Sequence, residues 1–504
     1  MTTYDQTPYR SIPYPQTRPA HIAAIAQIFG LTVPSVATAR VLEIGCAGGG
    51  NLIPLAAAFP EGRFVGIDPS AVQIEQARQR SAAAGLDNVD FRAASVTGVD
   101  QAFGTFDYIV CHGVYSWVPA DVRRAILRVT AERLGDKGLA LVSYNVLPGW
   151  HLKRVARDAM LIHAGQFDDP VEKLGQARAF LDFVKDSVSQ QTPYGEVVRA
   201  ESAFLAGQRD DYLLHEYLEE ENSPCTVVDF LAEADAAGLG YLADSDTMLP
   251  ETLGTGVAAT LRQLAADRLP RLEHYLDLVI GRSFRQSILM KPAAITAARR
   301  ALDPSRLAGL HVSATFVGLP APDATAPFVF TERSGRTLTA ASASAARAVA
   351  ALSARWPNSA TGGELADLTR AGVPEILDTL LQLIQEGMLA LSIVPIRVAG
   401  AGAARPVAWP LARADAGRGA HDTANLQHMP VELNAASRAL LPLIDGTRDR
   451  AALAERVMAM VTQGVITLRR DGKPINDPQE LRALVGNIVE GTLRSLASAG
   501  LLTA

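Results

Sequence analysis

Residues 40 to 145 alternate between short apolar runs and helical patterns, and this alternation constrains the fold more than any other feature. The apolar runs read ARVLEIG, GRFVGID, NVDFRAA, FDYIVCHG and GLALVSYN. Helical patterns such as SAVQIEQARQRSAAAG lie between them, and in this one Ser70 is placed to cap the helix. Strands joined by helical crossovers form a parallel, doubly wound α/β sheet, which binds its ligand outside the carboxyl ends of the strands.

Two later segments extend this sheet. The pattern is helical from residue 151 to about 235, and the apolar runs LGYLA and FRQSILM then appear on either side of a second helical stretch. We predict that these runs are the last two strands of the same sheet, with the final strand a candidate for antiparallel pairing. The helical segments are then insertions that cover the ligand site.

The chain of 504 residues exceeds what one core normally supports, and length alone predicts about two to four domains. Each half of the C-terminal region reads as helix, turn, helix and strand, which is the pattern of a winged helix, although an α-helical packing domain fits equally well. The predicted domains are an N-terminal arm or lid (1–20), a nucleotide-binding core (21–150), a helical insertion that completes the sheet (151–293), a winged-helix-like middle domain (294–410) and a winged-helix-like C-terminal domain (425–504).

Composition argues against several classes of protein. The net charge of −6 gives no overall attraction to nucleic acid or to an anionic membrane. Cys46, Cys111 and Cys225 lie far apart without paired spacing, so we predict neither a disulfide framework nor a metal site. No secretory signal and no apolar run of about 18 residues is visible. The sequence therefore predicts a cytoplasmic protein with no integral membrane segment and no nucleic-acid partner, and it does not indicate the oligomeric state.

The first strand runs into a glycine cluster, GCAGGG, which brings the backbone close to a nucleotide. Read as the dinucleotide fingerprint, the cluster gives Gly45, Ala47 and Gly50, whereas the methyltransferase loop gives Gly45, Ala47 and Gly49. Asp68 follows about 20 residues on and is placed to accept hydrogen bonds from ribose hydroxyls in either case. The loop alone leaves the cofactor open. Ala47 is strained if the turn requires a positive φ at this position, and it is tolerated if φ is negative and only side-chain size matters.

Glu43 favours one cofactor over the other. It lies inside an apolar strand, and a buried carboxylate is costly unless it is paired. NAD brings no cation to this strand, whereas S-adenosylmethionine carries an ammonium group at its methionine end. The chain also gives no second mononucleotide-binding half after the first. We therefore predict S-adenosylmethionine as the cofactor, with NAD and a fold that has lost its cofactor as the alternatives.

Several motifs taken together resemble a known family. They are VLEIGCAGGGNLIP, GIDPS, CHGVYSWVP and SYNVLPGW, with the arm YDQTPYRSIPYPQTRP. This combination resembles bacterial class I methyltransferases with a methyltransferase regulatory domain, whose best-known members are the rickettsial lysine methyltransferases of outer-membrane proteins. LLHEYLEEENSP and RSFRQSILM are similar to the regulatory segment, and LIDGTRDRAALAE is similar to the winged-helix tail. The resemblance implies a Rossmann-like, seven-stranded methyltransferase sheet with helical insertions, followed by mostly helical winged-helix-like domains.

The resemblance also implies a function, namely methyl transfer from S-adenosylmethionine to lysine side chains of a protein, with outer-membrane proteins as one substrate class. Two alternatives stay open: methylation of a small metabolite or natural-product intermediate, and a cofactor-binding scaffold whose tail binds a peptide. A deep, closed pocket favours the small acceptor, whereas an open groove with acidic walls favours a protein. Nucleic-acid methylation is disfavoured, because no tetrapeptide of the NPPY type is present.

The residues that follow the fourth and fifth strands form the predicted site. They face the ligand in a doubly wound sheet, and aromatic rings attract sulfonium and ammonium groups. His112 fits a structural role equally well, and Trp117 fits a packing role. We predict catalytic roles for Tyr115, Tyr144 and His112, substrate binding by Trp117, Asn145 and Trp150, and cofactor binding by Glu43, Gly45, Ala47, Gly49, Asp68, Ser95, Cys111 and His112.

An acidic run, RDDYLLHEYLEEEN, spans residues 209–222 and contains His215, Glu216 and Glu219. A metal site is disfavoured, because adjacent residues on a helix point apart and the HExxH motif is absent. We interpret the run as a solvated helix face. A further hypothesis is an acidic lid that attracts lysine-bearing substrates, which neutralising the glutamates at 219–221 would test.

Overall fold

The computed structural model describes residues 10–189, 191–246, 253–320, 327–332, 335–470, 473–475 and 477–503. Residues 1–9, which belong to the predicted arm, lie outside this set. Within the described residues, no helix combines the length and the apolar character that a membrane crossing requires.

A mixed sheet forms the centre of the N-terminal half. Its strands are β1 (Arg40–Ile44), β2 (Arg63–Asp68), β3 (Val89–Ala93), β4 (Phe106–Cys111), β5 (Leu134–Asn145), β6 (Gly240–Asp244) and β7 (Phe284–Met290). They lie in the order β3-β2-β1-β4-β5-β7-β6. The first five strands, β1 to β5, all run parallel to one another, whereas β7 runs antiparallel to its neighbours β5 and β6. The predicted seven-stranded α/β fold, with its antiparallel last strand, is confirmed.

The sheet is covered on both faces, which explains why its strands are nearly continuous apolar runs. In β1 the side chains of Val41, Leu42 and Ile44 are buried, and only Arg40 at the start is exposed. Glu43 is the polar exception, because it is buried among these apolar neighbours. A carboxylate in this position needs a partner.

Four helices accompany the parallel strands. They are α1 (Pro19–Ile28), α2 (Leu52–Ala58), α3 (Ala71–Ala83) and α4 (Ala120–Arg133). The α3 helix begins as predicted, because the Ser70 hydroxyl accepts a hydrogen bond from the Gln73 backbone N–H at 3.3 Å. Ile53 of α2 packs in one hydrophobic core with Val41, whereas Ile126 of α4 packs in another with Leu42. Alternate residues of β1 therefore face opposite sides of the sheet.

A helical region lies between β5 and β7. Its helices are α5 (Gly149–Ala164), α6 (Pro170–Ser187), α7 (Pro193–Ala206), α8 (Asp210–Tyr217), α9 (Val227–Ala236), α10 (Thr255–Ala265) and α11 (Leu269–Ile280). Helices α5 to α8 share a small core that includes Met160, Leu181 and Tyr217. Phe230 of α9 packs instead in the core beneath the sheet that α4 also joins.

The remainder of the chain is mostly helical. Its helices are α12 (Pro292–Ile295), α13 (Ala343–Arg355), α14 (Gly362–Thr369), α15 (Val373–Gln385), α16 (Pro410–Gly417), α17 (Ala435–Leu440), α18 (Arg450–Thr462) and α19 (Pro478–Ser498). Short strands pair in antiparallel fashion between them: β8 (His311–Ser313) with β11 (Ala390–Ser392), β9 (Phe328–Thr331) with β10 (Thr337–Ala340), β12 (Val407–Ala408) with β17 (Leu502–Thr503), β13 (Asp422–Ala424) with β14 (Pro430–Glu432), and β15 (Arg469–Arg470) with β16 (Lys473–Pro474). The domain boundaries expected from the sequence stay predictions.

Candidate cofactor and methyl-transfer site

A cavity of about 270 Å³ opens at the carboxyl ends of β1, β2 and β4, where a doubly wound sheet binds its ligand. We call it the strand-end cavity. Its walls come from the sheet, the N-terminal arm, the segment after β4, the helix α8 and the start of β7. The lining residues are Ser11, Ile12, Tyr14, Glu43, Gly45, Cys46, Ala47, Asn51, Asp68, Pro69, Ser70, Gln73, His112, Gly113, Val114, Trp117, Val118, His215, Glu216 and Phe284.

Glu43 presents a carboxyl group with one unsatisfied oxygen to the strand-end cavity. Its side chain is 4% exposed, and its Oε1 accepts a hydrogen bond from Asn51 Nδ2 at 2.7 Å. Its Oε2 is buried without a hydrogen-bond partner among the described residues. Burial raises the pKa of Glu43 to about 8, although the hydrogen bond from Asn51 opposes this. A buried, unpartnered oxygen costs about 1–3 kcal/mol, and the ammonium group of S-adenosylmethionine would satisfy it.

The turn after β1 has the shape that the glycine cluster predicts. Gly45 has φ +76°, and a Cβ there would lie 2.3 Å from Val114 Cγ2, so only glycine fits. Ala47 has φ +46°, so of the two cases considered from the sequence the strained one applies. The Ala47 N–H donates to Asp68 Oδ2 at 3.0 Å, which holds the residue in this strained conformation. Gly49 does not line the cavity, since its Cβ position faces the core 2.8 Å from Phe91 Cζ.

Asp68 lies where a ribose-binding carboxylate is expected. It ends β2 and lines the strand-end cavity. Besides its bond from Ala47, it accepts the Ser70 N–H at Oδ1 over 2.9 Å. Each carboxylate oxygen can accept a second hydrogen bond. Asp68 can therefore brace the glycine turn and bind a ligand hydroxyl at the same time.

The described part of the N-terminal arm covers one side of the cavity. The Gly50 N–H donates to Ser11 Oγ at 2.7 Å, and a Cβ on Gly50 would lie 2.0 Å from the Ser11 carbonyl oxygen. The absence of a side chain at Gly50 therefore leaves room for the backbone of the arm. Further along, the Tyr14 ring stacks on the His112 ring with centroids 4.1 Å apart.

The His112 ring is in contact with two aromatic rings. Besides Tyr14, its ring meets the edge of Phe284 with centroids 5.8 Å apart. Burial lowers the pKa of His112 to about 4, so the ring is neutral at physiological pH. A base this weak takes little part in deprotonating an ammonium group. His112 lines the strand-end cavity, as the sequence predicts, but its predicted role as a catalytic base loses support.

Tyr115 and Tyr144, both predicted to be catalytic, lie in the core behind the cavity. Each side chain is 1% exposed, and neither lines the strand-end cavity. The Tyr115 hydroxyl donates to Glu233 Oε2 at 2.5 Å, and the Tyr144 ring stacks on Phe230 with centroids 3.9 Å apart. The Tyr144 hydroxyl bonds Ser287 Oγ at 3.0 Å. Both residues therefore pack between the sheet and α9, and we correct the prediction accordingly.

Two predicted cofactor contacts also lie outside the cavity. Cys111 is fully buried in the core shared with α4, and burial raises the pKa of its thiol. Ser95 is exposed after β3, where its hydroxyl accepts the Thr97 N–H at 3.3 Å. Neither residue lines the strand-end cavity.

The predicted substrate residues divide in the same way. Trp117 lines the strand-end cavity, and its ring contacts the edge of the Trp150 ring with centroids 5.9 Å apart. Trp150 itself is buried on α5, in a second layer behind Trp117. Asn145 is also buried, and its backbone N–H donates to Ser116 Oγ at 2.8 Å. Of the three, the structure brings only Trp117 to the cavity.

The helix α8 supplies residues that the sequence interpretation missed. His215 is buried, Glu216 is partly exposed, and both line the strand-end cavity, so the solvated-face interpretation is wrong at these positions. Burial raises the pKa of Glu216 to about 7, and the nearby Lys153 charge opposes this. The apolar residues on either side are the sequence signal that could have revealed this placement. Leu213 and Tyr217 pack in the core that α5 to α8 share, and they fix the position of α8. Among the described residues, no group of His, Cys, Asp and Glu could hold a metal ion.

Three family models match the chain. Residues 42–140 match a methyltransferase domain, residues 209–291 match a predicted methyltransferase regulatory domain, and residues 404–501 match the PKMT C-terminal winged helix domain. The predicted enzyme class and its cofactor, S-adenosylmethionine, are confirmed, as is a winged helix at the C-terminal end.

Some relatives cover nearly the whole chain. An uncharacterized protein of Rickettsia prowazekii is 31% identical over 532 aligned residues, covering 99% of this chain and 93% of that protein. The solved structure of PKMT2 from Rickettsia typhi is similar with a TM-score of 0.85 at 27% identity, covering 99% of this chain and 100% of that one. PKMT2 in complex with AdoHcy gives the same score and identity over 98% of this chain. The chain belongs to the family of S-adenosylmethionine-dependent methyltransferases that join a methyltransferase domain to a regulatory domain and a PKMT C-terminal winged helix domain.

Proposed function

We propose that the protein transfers methyl groups from S-adenosylmethionine to lysine side chains of a protein substrate. One observation carries the proposal: the strand-end cavity is lined by two carboxyl groups with raised pKa values, and we assign Glu43 to the cofactor and Glu216 to a cationic acceptor. The similarity to rickettsial PKMT2 over nearly the full length supports the same acceptor class.

The cofactor end of the cavity has defined roles in this proposal. Glu43 Oε2 would take the ammonium group, Asp68 would take the ribose hydroxyls, and the backbone at Gly45 and Ala47 would lie against the ligand. When bound, the cofactor supplies a methyl group that its sulfonium already activates. The residues of the site then contribute mainly by orienting the acceptor and excluding water.

The acceptor end must do two things for a lysine. A lysine ammonium has no free electron pair, so it must lose a proton before its nitrogen can attack the methyl carbon. Glu216 has a pKa of about 7, and it can bind the ammonium and take its proton. The neutral amine could then form the new N–C bond as the methyl–sulfur bond of bound cofactor broke, with that electron pair left on the sulfur. Trp117, which also lines the cavity, can hold the cation by its ring face.

The location and the class of substrate belong to the same proposal. We place the reaction in the cytoplasm, because Cys46, Cys111 and Cys225 are free thiols, as is usual in a reducing compartment. An outer-membrane protein, methylated before export, is the substrate that the family resemblance suggests.

Methyl-labelled S-adenosylmethionine tests the acceptor class. The protein is incubated with an extract of the source organism, and the extract with Asp68→Ala protein is the control. Label in precipitable protein that mass spectrometry maps to lysine Nζ supports the proposal. Label confined to small molecules would point to a metabolite methyltransferase, and cofactor binding without any transfer would point to a scaffold.

A further inference from the structure

We propose that His428 of the C-terminal winged helix domain is a positioning residue for the cofactor-binding carboxylate of Glu43. The inference deepens the proposed function and rests on the cofactor role given there to Glu43. It makes the winged helix domain part of the cofactor site, although His428 lies almost four hundred residues from Glu43 in sequence.

Three buried side chains form a hydrogen-bonded relay from the winged helix domain to the cavity. His428 Nε2 lies 2.8 Å from Asn51 Oδ1, and Asn51 Nδ2 donates to Glu43 Oε1 at 2.7 Å. All three residues are buried. Glu43 is thereby held so that its other oxygen, Oε2, is the one left for a ligand.

The donors around Asn51 fix the direction of the relay. The backbone N–H of Tyr14 and the hydroxyl of Thr17 also approach Asn51 Oδ1, at 2.9 Å and 3.0 Å. An N–H can only donate, so this atom is the amide oxygen and the amide nitrogen faces Glu43. His428 must therefore donate from Nε2. Burial lowers the pKa of His428 well below its usual range, so the ring is a neutral donor.

The turn that carries His428 is built to present the imidazole. It joins β13 to β14, and His428 has φ +62°, a conformation that is uncommon for residues other than glycine. The Asn425 side-chain oxygen accepts the N–H groups of Gln427 and Met429, both at 2.9 Å. These bonds stabilise the strained turn. A role for the His428 ring at this position would explain why the strain is kept.

Two ion pairs connect the same part of the winged helix domain to the N-terminal half of the chain. Arg80 of α3 makes two hydrogen bonds to the buried Asp415, at 3.0 Å and 2.8 Å. Arg10 of the arm pairs with Asp422, the first residue of β13, at 2.5 Å. These two pairs keep the β13–β14 turn in place, so that His428 stays within hydrogen-bond distance of Asn51.

Calorimetry with AdoHcy on the full chain tests the relay. His428→Ala should weaken AdoHcy binding about three- to tenfold, the fold-change that corresponds to one net hydrogen bond, while kcat at saturating cofactor stays near the wild-type value. His428→Gln retains a donor and should recover part of the affinity. His421→Ala, an exposed histidine of the same domain, is the matched control and should bind like wild type.

The outcomes separate the relay from the proposed function. Asn51→Ala combined with His428→Ala should give less than the product of the single effects, because both remove one connection. Full additivity, or wild-type affinity in a folded His428→Ala protein, overturns the relay. If Glu43→Gln also leaves AdoHcy affinity unchanged, the proposed cofactor role of Glu43 fails as well.

Discussion

Cofactor binding should release a proton, because Glu43 changes its protonation state when the ligand arrives. Burial raises the pKa of this carboxyl to about 8, so the unliganded protein carries it protonated at neutral pH. An incoming ammonium group favours the ionised form and expels the proton. Affinity for the cofactor should therefore increase as the pH rises toward 8.

The magnitude follows from the pKa. Each pH unit below the pKa adds about 1.4 kcal/mol to the cost of ionising the group. At pH 6 that cost is about 3 kcal/mol, so Kd should fall about tenfold for each pH unit between pH 5.5 and 7.5. The range stops there because Glu43 is increasingly ionised without ligand as the pH approaches its pKa of about 8, and the pH dependence then levels off.

Calorimetry with AdoHcy in two buffers of different ionisation enthalpy measures both quantities. Close to one proton should leave per ligand bound at pH 6, and Glu43→Gln should abolish both the release and the pH dependence. Glu216 also lines the cavity and has a raised pKa, so it could contribute to the proton release. The measurement is therefore repeated in a Glu216→Gln variant, which removes that carboxyl group. A wild-type Kd that stays flat from pH 5.5 to 7.5, with no proton released, would refute the reasoning.

Three further predictions concern other parts of the site. Turnover on a lysine acceptor should rise with pH through about 7, where Glu216 ionises. Glu216→Gln should lose that rise and at least about tenfold in kcat/KM, while unchanged turnover would remove Glu216 from the acceptor site. Gly50→Ala should weaken AdoHcy binding, because its Cβ would collide with the Ser11 carbonyl oxygen and displace the arm; wild-type affinity by calorimetry would show that the arm is no lid. Tyr115→Phe should lower the free energy of unfolding by about 1–3 kcal/mol, through the hydrogen bond lost at Glu233, with little change in kcat; a large loss of kcat in a stably folded variant would restore a catalytic role.

The strands and part of the lining of the strand-end cavity could be predicted because their signals are local. The apolar runs of β1 to β5 and the cap at Ser70 depend on neighbouring residues. Glu43 could be singled out because a carboxylate within an apolar strand stands out by its type alone. Its position in the cavity agrees with that interpretation.

The acceptor end could not be predicted because its geometry is set by distant contacts. Tyr115 follows β4 as expected, but its hydroxyl turns to Glu233 on α9, more than a hundred residues further on. Glu216 lies in a charged run, and its position at the strand-end cavity depends on how α8 packs. No local pattern connects His428 with Asn51, because only the docking of the winged helix domain brings them together.

A crystal structure of the protein with AdoHcy would test most directly that the strand-end cavity is the cofactor site. The ligand ammonium should lie within about 3 Å of Glu43 Oε2, with the ribose hydroxyls at Asp68 and the sulfur facing the side of the cavity where Glu216 and Trp117 lie. An AdoHcy molecule bound elsewhere, or one whose ammonium avoids Glu43, would contradict the account.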